Sequence, residues 1–389
     1  MLSLRSKNIS PQPMFEILQL AKNYEAQGKK IIHLEIGDSS TFENNQMLNL
    51  IKKNISKKKS LEYSPSEGEY KLREAFIFHY NNLCKYKFEI ENIVVTPANA
   101  GITQLINVLT DKSDSVLIPD PGFPTYYLSC KFNNVKPYYY LLNQDNNFQI
   151  DVDAIKKIIQ LRKIKILIIN NPSNPLGLFH VVSDINKLII YCNNLNVNVI
   201  IDDTYRNLIY FDNYPRIIHK KNVFYIYSLS KDTASPAMRI GCIIGEKRII
   251  KKISEHNSLF YSCLPKFLQL AAADYLMQDH RPYRRYLRES MLKRINNLHS
   301  IFIKSKGITY IKPNAGIYFY LNISKTNLDG DNFSKKLLDS TGVCVCPGKY
   351  FGPSGKSYVR ICISGNEKKL YLGAKKLVNF FNSVIGSLS

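Results

Sequence analysis

The sequence predicts an α/β fold: a large domain with a mostly parallel sheet between helices, plus a smaller α+β domain from the N-terminal segment and C-terminal third. Three observations predict it. Short apolar runs alternate with stretches of helical spacing through the middle of the chain. From about Asp279 that alternation gives way to strand-like segments and one closing helix. The 389 residues suffice for about two domains.

The elements follow in order. Residues 14–28 (MFEILQLAKNYEAQG) carry apolar side chains at helical spacing, with Gly28 as C-cap. A strand is expected at Ile31–Ile36, stopping at Gly37. Buried parallel strands are expected at Ile93–Val95, Ser115–Ile118, Ile164–Ile169, Val197–Ile201 and Val223–Tyr227. Helices fall between them near Lys71–Asn82, Gly101–Leu109, Asp153–Leu161 and Ser183–Asn194. A basic helix beginning near Asp279 leads into strands at Ile317–Leu321, Gly342–Cys346 and Tyr358–Cys362, then a helix over Glu367–Val384. The expected divisions are a segment 1–40 packing with the small domain, a large domain 41–280 and a small domain 281–389.

Composition excludes several classes. Apolar residues are 45% and charged residues 22%, ordinary globular usage. No run approaches the roughly 18 apolar residues of a membrane span. The start, MLSLRSKNISPQP, lacks the apolar core of a secretory signal. The eight cysteines are scattered, and Cys344-x-Cys346 fits neither a zinc ribbon nor a redox motif. Reduced thiols in a cytoplasmic protein, with no metal, are expected. Net charge is +22 from 53 basic and 31 acidic residues. That excess suits a polyanion partner. It also suits compositional drift, since the chain is rich in Lys, Asn, Ile and Tyr and has no Trp. The charges are spread, Lys57-Lys58-Lys59 being the densest triplet, and no nucleic-acid motif is present, so no nucleic-acid partner is expected.

In a parallel sheet, ligands bind beyond the carboxyl ends of the strands. After Ile164–Ile169 comes Asn170-Asn171-Pro172-Ser173-Asn174-Pro175-Leu176-Gly177, a sharply turned loop in which Asn174 can present an amide. After Val197–Ile201 come Asp202, Asp203 and Tyr205, and a carboxylate at a buried strand tip needs a cation or donor. After Val223–Tyr227 come Ser228, Ser230, Lys231, Pro236 and Arg239. A desolvated lysine is a competent nucleophile, and hydroxyls beside an arginine suit a phosphate. Taken singly, these read as a loop, a helix cap and a surface turn. In order on successive strands, they provide an amide, a carboxylate, a phenol, an amine and a phosphate clamp. Pyridoxal phosphate chemistry requires that set.

At these residues the chain resembles the class I/II aminotransferases, the fold-type I pyridoxal phosphate enzymes, over almost its full length. NPSNPLG resembles N-P-x-N-P-T-G, DDTY resembles D-[ED]-x-Y, and SLSKDTASPAMRIG resembles S-x-S-K-x-x-x-x-P-G-x-R-x-G. YSPSEGEYKLREA, TPANAGITQL, PDPGFPTY, CPGKYFG and YVRICIS resemble further family segments in family order. The resemblance implies a pyridoxal 5′-phosphate-dependent aminotransferase acting on an amino acid and a 2-oxo acid. It implies a Schiff base on Lys231, Asp202 against the pyridine nitrogen, and Asn174 and Tyr205 on the ring oxygen. Phe123 is implied to stack on the ring. Asn99, Ala100, Ser228, Ser230 and Arg239 are implied to take the phosphate, and Gly37, Asn174 and Arg360 to bind the substrate, Gly37 and Arg360 at its carboxylate. Tyr63 is implied to reach the phosphate of the other subunit of a homodimer. Among these, Lys231, Asp202 and Tyr205 are the expected catalytic residues.

The chain departs from the pattern at Ala98, Ala237 and Leu176, where the family has Gly, Gly and Thr, and at Asp38-Ser39-Ser40 near the expected substrate entrance. That divergence leaves open an elimination, cyclisation or oxidation on the same fold. A non-enzymatic polyanion binder is a third reading, opposed by the intact Lys231, Asp202, Asn174, Tyr205, Arg239 and Arg360. Arg281, Arg284, Arg285 and Arg288 are candidates for an acidic substrate side chain or plain surface charges. Tyr318, Tyr320 and Phe42 read equally as a pocket wall or as core.

Overall fold

A computed structural model describes residues 10–83, 86–212 and 215–387. Most of the opening stretch read for a secretory signal, and Cys84, lie outside the described residues.

The strands in chain order are β1 (Ile32–His33), β2 (Ile93–Val95), β3 (Ser115–Asp120), β4 (Lys136–Leu141), β5 (Ile164–Asn170), β6 (Asn198–Asp202), β7 (Val223–Ser228), β8 (Gly241–Ile244), β9 (Tyr318–Asn322), β10 (Val343–Cys344), β11 (Cys346–Pro347) and β12 (Tyr358–Cys362). Seven of them form one sheet in the order β2-β8-β7-β6-β5-β3-β4. Strands β7, β6, β5, β3 and β4 pair in parallel, while β8 runs antiparallel to both β7 and β2. The Ile93–Val95 strand is therefore present but pairs antiparallel, a correction to the parallel expectation. The reversal follows from the tight return at Pro236–Met238, which sends β8 straight back beside β7.

Both faces of the sheet are apolar, as a parallel sheet between helices requires. Alternation sorts the side chains. Ile166, Ile168, Ile200, Phe224 and Ile226 face Ile102, Leu105, Ile106, Ile250 and Ile253 on one side. Leu167, Ile169, Val199, Ile201 and Tyr225 face Leu72, Phe76, Ile185, Leu188, Ala272 and Tyr275 on the other.

A second core gathers Ile32, Leu34 and Phe42 with the antiparallel sheet β11-β12-β9 and the helices Arg281–Phe302, Gly330–Thr341 and Glu367–Gly386. The strand expected over Ile31–Ile36 shrinks to Ile32–His33, pairing parallel with β10. Beyond it the chain turns to present carbonyls to other groups: Glu35 O accepts from Arg360 and Gly37 O from Lys231. The segment Gly342–Cys346 is two strands, since β10 pairs with β1 while β11 pairs with β12. The N-terminal helix covers Met14–Ala26, and Gly28 follows it at φ +83°, a left-handed turn that glycine accommodates.

Candidate active site

The strands β5, β6 and β7 end side by side at Asn170, Asp202 and Ser228, with Asn170 in register with Asp202. Beyond these ends lies a cavity of about 190 Å³. Its walls include Gly37, Asn99, Phe123, Asn174, Asp202, Tyr205, Ser228, Ser230, Lys231, Arg239 and Arg360, which the sequence singled out. Ala100 and Tyr63 do not line it; Tyr63 is 87% exposed.

Lys231 sits on a single helical turn, Leu229–Asp232, entered from β7 and capped by the Ser228 hydroxyl. Its Nζ donates to Gly37 O at 2.6 Å, and burial lowers its pKa from the ordinary lysine value. Asp202 is buried. Its Oδ2 accepts from the Tyr126 hydroxyl at 2.7 Å, and its Oδ1 from the Thr204 hydroxyl at 2.7 Å and amide at 3.2 Å. Burial raises its pKa, while those hydrogen bonds oppose the rise. Asp203 points elsewhere, accepting from Tyr80 and pairing with Arg206 at 3.0 Å.

The loop carrying Asn174 is fixed by Asn170, whose Oδ1 accepts from the Asn174 amide at 2.7 Å and whose Nδ2 donates to Asp202 O at 3.0 Å. Arg360, fully buried on β12, donates to Asn174 Oδ1 at 3.0 Å and to Glu35 O. Its guanidinium carbon lies 4.2 Å from the Tyr318 ring centre and 4.6 Å from that of Phe351. The Tyr205 and Tyr318 hydroxyls are 3.0 Å apart. A Cβ on Gly37 would overlap the Tyr318 hydroxyl, so the close backbone approach there requires glycine.

At the opposite end, the helix Ala98–Leu109 opens toward the cavity with no side-chain cap on its first amides. Ser228, Ser230 and Arg239 line the same cavity. An uncapped helix start, two hydroxyls and a guanidinium form an anion cradle. A dianionic phosphate at one end, a ring between Phe123 and Asp202, and an amine within reach match this donor set, so the residues present fit pyridoxal phosphate.

The model for aminotransferase class I and II matches residues 29–377. The chain belongs to that family. As a class I/II aminotransferase it is a pyridoxal phosphate-dependent enzyme that moves an amino group between an amino acid and a 2-oxo acid. It is 30% identical to the (5-formylfuran-3-yl)methyl phosphate transaminase of Methanocaldococcus jannaschii, over 98% of this chain and all of that one. It is 28% identical to the LL-diaminopimelate aminotransferase of Dehalococcoides mccartyi, over 97% and 98%. It is 29% identical to the aspartate aminotransferase of Pyrococcus horikoshii, over 79% and 80%. The fold matches the Thermus thermophilus aspartate aminotransferase structure with maleate at TM-score 0.91, with 20% identity and coverage of 98% and 99%.

Several wall residues of this aminotransferase escaped the sequence reading: Gln12, Met14, Ile36 and Thr204. Thr204 lies inside the DDTY motif, and Tyr318 was a candidate held equally as core. The other two undecided aromatics are core. Tyr320 stacks on Tyr358 with ring centres 4.7 Å apart, and Phe42 lies under Arg294. None of Arg281, Arg284, Arg285 and Arg288 lines the cavity. Arg281 pairs with Asp279 and Arg288 with Asp212, both at 2.8 Å. Among the described residues no His, Cys, Asp and Glu cluster could hold a metal, and no helix is long and apolar enough to cross a membrane.

Proposed function

We propose that Lys231 carries the pyridoxal phosphate of this aminotransferase and shuttles the proton during amino transfer. The single observation that supports this most is the convergence, in one cavity, of a half-buried amine, a buried carboxylate, an anion cradle and a buried guanidinium. When bound, the cofactor supplies an electron-accepting ring joined to the nitrogen being moved.

The chain's residues then divide the work. Burial shifts Lys231 toward the neutral amine, which would hold the cofactor and, at Nζ, carry the proton taken from the substrate α-carbon. Asp202 sets a carboxylate against the ring nitrogen, and Tyr126 and Thr204 hold it in that orientation. Asn174 and Tyr205 would hold the ring oxygen, and Phe123 would cover the ring. Asn99, Ala100, Ser228, Ser230 and Arg239 take the phosphate. Arg360 grips the substrate carboxylate, with the Gly37 backbone beside it.

We also propose a cytoplasmic homodimer whose small domain begins near residue 281. Support for the dimer comes from Leu61, Tyr63, Leu259 and Phe260, all exposed and on neighbouring segments joined by the Ser66–Ser254 hydroxyl contact of 2.9 Å. Support for the compartment comes from the seven described cysteines, all free.

Borohydride reduction followed by peptide mapping tests the assignment. The label belongs on the peptide containing Lys231, and an amino acid should bleach the unreduced holoenzyme until a 2-oxo acid restores its colour. A label on any other lysine overturns it.

A further inference from the structure

A second polar cluster lies behind the strand ends, away from the cavity. Asp232 follows Lys231 on the same one-turn helix, but its side chain is fully buried on the other side. Its Oδ2 accepts from three donors: the Tyr227 hydroxyl, the Asn207 amide, and Arg284 at 3.2 Å. Its Oδ1 has no hydrogen-bond partner among the described residues.

Those donors come from separate parts of the fold. Tyr227 is on β7, the strand that delivers the lysine turn. Asn207 lies on the connection that also carries Asp202 and Tyr205. Arg284 lies on the helix Arg281–Phe302, whose Leu287, Met291, Ile295 and Leu298 belong to the second core. One carboxylate oxygen therefore ties the lysine turn to the aspartate loop and to a helix of the other core.

A second guanidinium stands near the pair, since Arg206 lines the same small cavity as Asn207, Tyr227 and Arg284. The His79 and His280 rings lie 5.1 Å apart beside Arg284. Burial holds both below the usual histidine pKa, His280 at about 4, so they bring no competing charge. The side chain of Arg284 is 23% exposed and that of Asp232 is not exposed at all. Removing Arg284 withdraws a charged donor from a carboxylate with no solvent exposure, which shifts the turn that carries it.

We infer that Asp232 and Arg284 form a positioning pair that sets the direction in which Lys231 enters the cavity. The inference rests on the reading of Lys231 as the cofactor-bearing amine. Neither residue touches the cavity. Their action passes through the single turn that carries both Asp232 and Lys231, where small rotations displace Nζ. Misplacement of a reacting group by about 1 Å costs up to about 100-fold in rate.

The test uses holoenzyme carrying Arg284→Gln, Arg284→Lys, Asp232→Asn or the double change Asp232→Asn with Arg284→Gln. Arg284→Gln and Asp232→Asn should each lower kcat about 10-fold, leave KM for the amino donor within about 3-fold, and alter the visible circular dichroism of the bound cofactor. The double variant should be no worse than the poorer single, because the two residues act as one unit. Arg284→Lys, which keeps the charge, should recover most of kcat and the wild-type dichroism. If Asp232→Asn does not fold, the two Arg284 variants decide alone. Unchanged kcat and dichroism in Arg284→Gln, or losses that follow only thermal stability, overturn the pair. Borohydride labelling in each variant separates the two readings: an unlabelled Lys231 in the wild type refutes the lysine assignment, whereas labelled Lys231 with unperturbed kinetics refutes the pair alone.

Discussion

Arg360 donates to the side-chain oxygen of Asn174 at 3.0 Å, joining β12 of the small antiparallel sheet to the loop beyond β5 of the large one. The arginine proposed for the substrate carboxylate and the amide proposed for the cofactor ring are thus hydrogen-bonded to each other across the two sheets. Tyr318 and Phe351 flank the guanidinium, and the carbonyl of Glu35 takes one nitrogen. The planar fork is oriented before any substrate arrives.

Arg360→Lys should therefore be far from conservative. Lysine keeps the charge but can neither bridge Asn174 and Glu35 nor bind a carboxylate through two parallel hydrogen bonds. Losing one charge-assisted bond costs about 1.5–3 kcal/mol, so kcat/KM should fall about 10- to 100-fold. Most of the loss should lie in KM for the amino donor, with cofactor retention unchanged. Steady-state kinetics with a retained cofactor spectrum measure this, and an unaltered KM would contradict the assignment.

Asp202 and Asp203 offer a contrast between neighbours. Asp202→Asn keeps one acceptor oxygen, enough for Tyr126 or for Thr204 but not both, and removes the charge facing the cavity; kcat should drop on the order of 100-fold or more. Asp203→Asn removes the charge paired with Arg206 and should chiefly lower the unfolding temperature, with a stability loss of about 3 kcal/mol and kcat within a few-fold. Equal kinetic losses in the two variants would defeat this ordering.

The legible parts of the fold were those set by local chemistry. The apolar runs of β5, β6 and β7 and the motifs at their ends stand out because buried parallel strands and ligand loops impose composition residue by residue. Strand β4 (KPYYYL) did not stand out, since a half-exposed edge strand that admits Pro137 carries no alternation. The four-residue β8 is too short to show a period, and its direction depends on the return at Pro236–Met238. Arg284 looked like a surface charge because its partner Asp232 lies 52 positions away. Tyr318 became a cavity wall only once the turn at Gly37 brought its backbone against that hydroxyl.

That contact makes Gly37 a sensitive position. Gly37→Ala would push the Tyr318 hydroxyl away from Tyr205 and shift the carbonyl that accepts from Lys231. The expected result is a loss of about 100-fold in kcat/KM with a cooperative unfolding transition retained. Pairing Gly37→Ala with Tyr318→Phe, which removes the colliding oxygen, should recover part of the loss. Wild-type activity in Gly37→Ala alone would show that the space is not needed.

His33 gives a pH prediction. Its two nitrogens meet Glu35 at 2.7 Å and Glu25 at 3.1 Å, linking β1 to the N-terminal helix. The hydrogen bond to Glu35 is the main cause that raises its pKa from 6.5 to about 9, against the lowering effect of burial. A raised folded-state value means the contribution is fully present below the unfolded value of 6.5 and is lost as pH climbs through about 9. The imidazole is one-third exposed, so screening reduces the effect to about 1 kcal/mol. Thermal unfolding between those pH values should show a steeper decline for wild type than for His33→Gln. Parallel curves would rule out the link.

The last prediction concerns assembly. Tyr63 is 87% exposed and lines no part of the cavity in its own chain. In the proposed homodimer Tyr63 would serve the cofactor phosphate across a two-fold axis, each copy completing the other's site. The neighbouring exposed Leu61, Leu259 and Phe260 supply apolar surface for such an interface. Tyr63→Phe should leave the dimer intact and weaken cofactor retention by one charge-assisted hydrogen bond, about 1.5–3 kcal/mol. Mixing inactive chains separates the two kinds of contribution. Lys231→Ala with Arg360→Ala should recover nothing, because both residues serve the same chain's cavity. Lys231→Ala with a severely impaired Tyr63 variant should regain up to one working site per hybrid, the variant chain supplying Lys231 and its partner chain supplying an intact tyrosine. A fully active monomer in sedimentation at assay concentrations would refute the shared site, and recovery in the first mixture would show that Lys231 and Arg360 do not serve one chain's cavity.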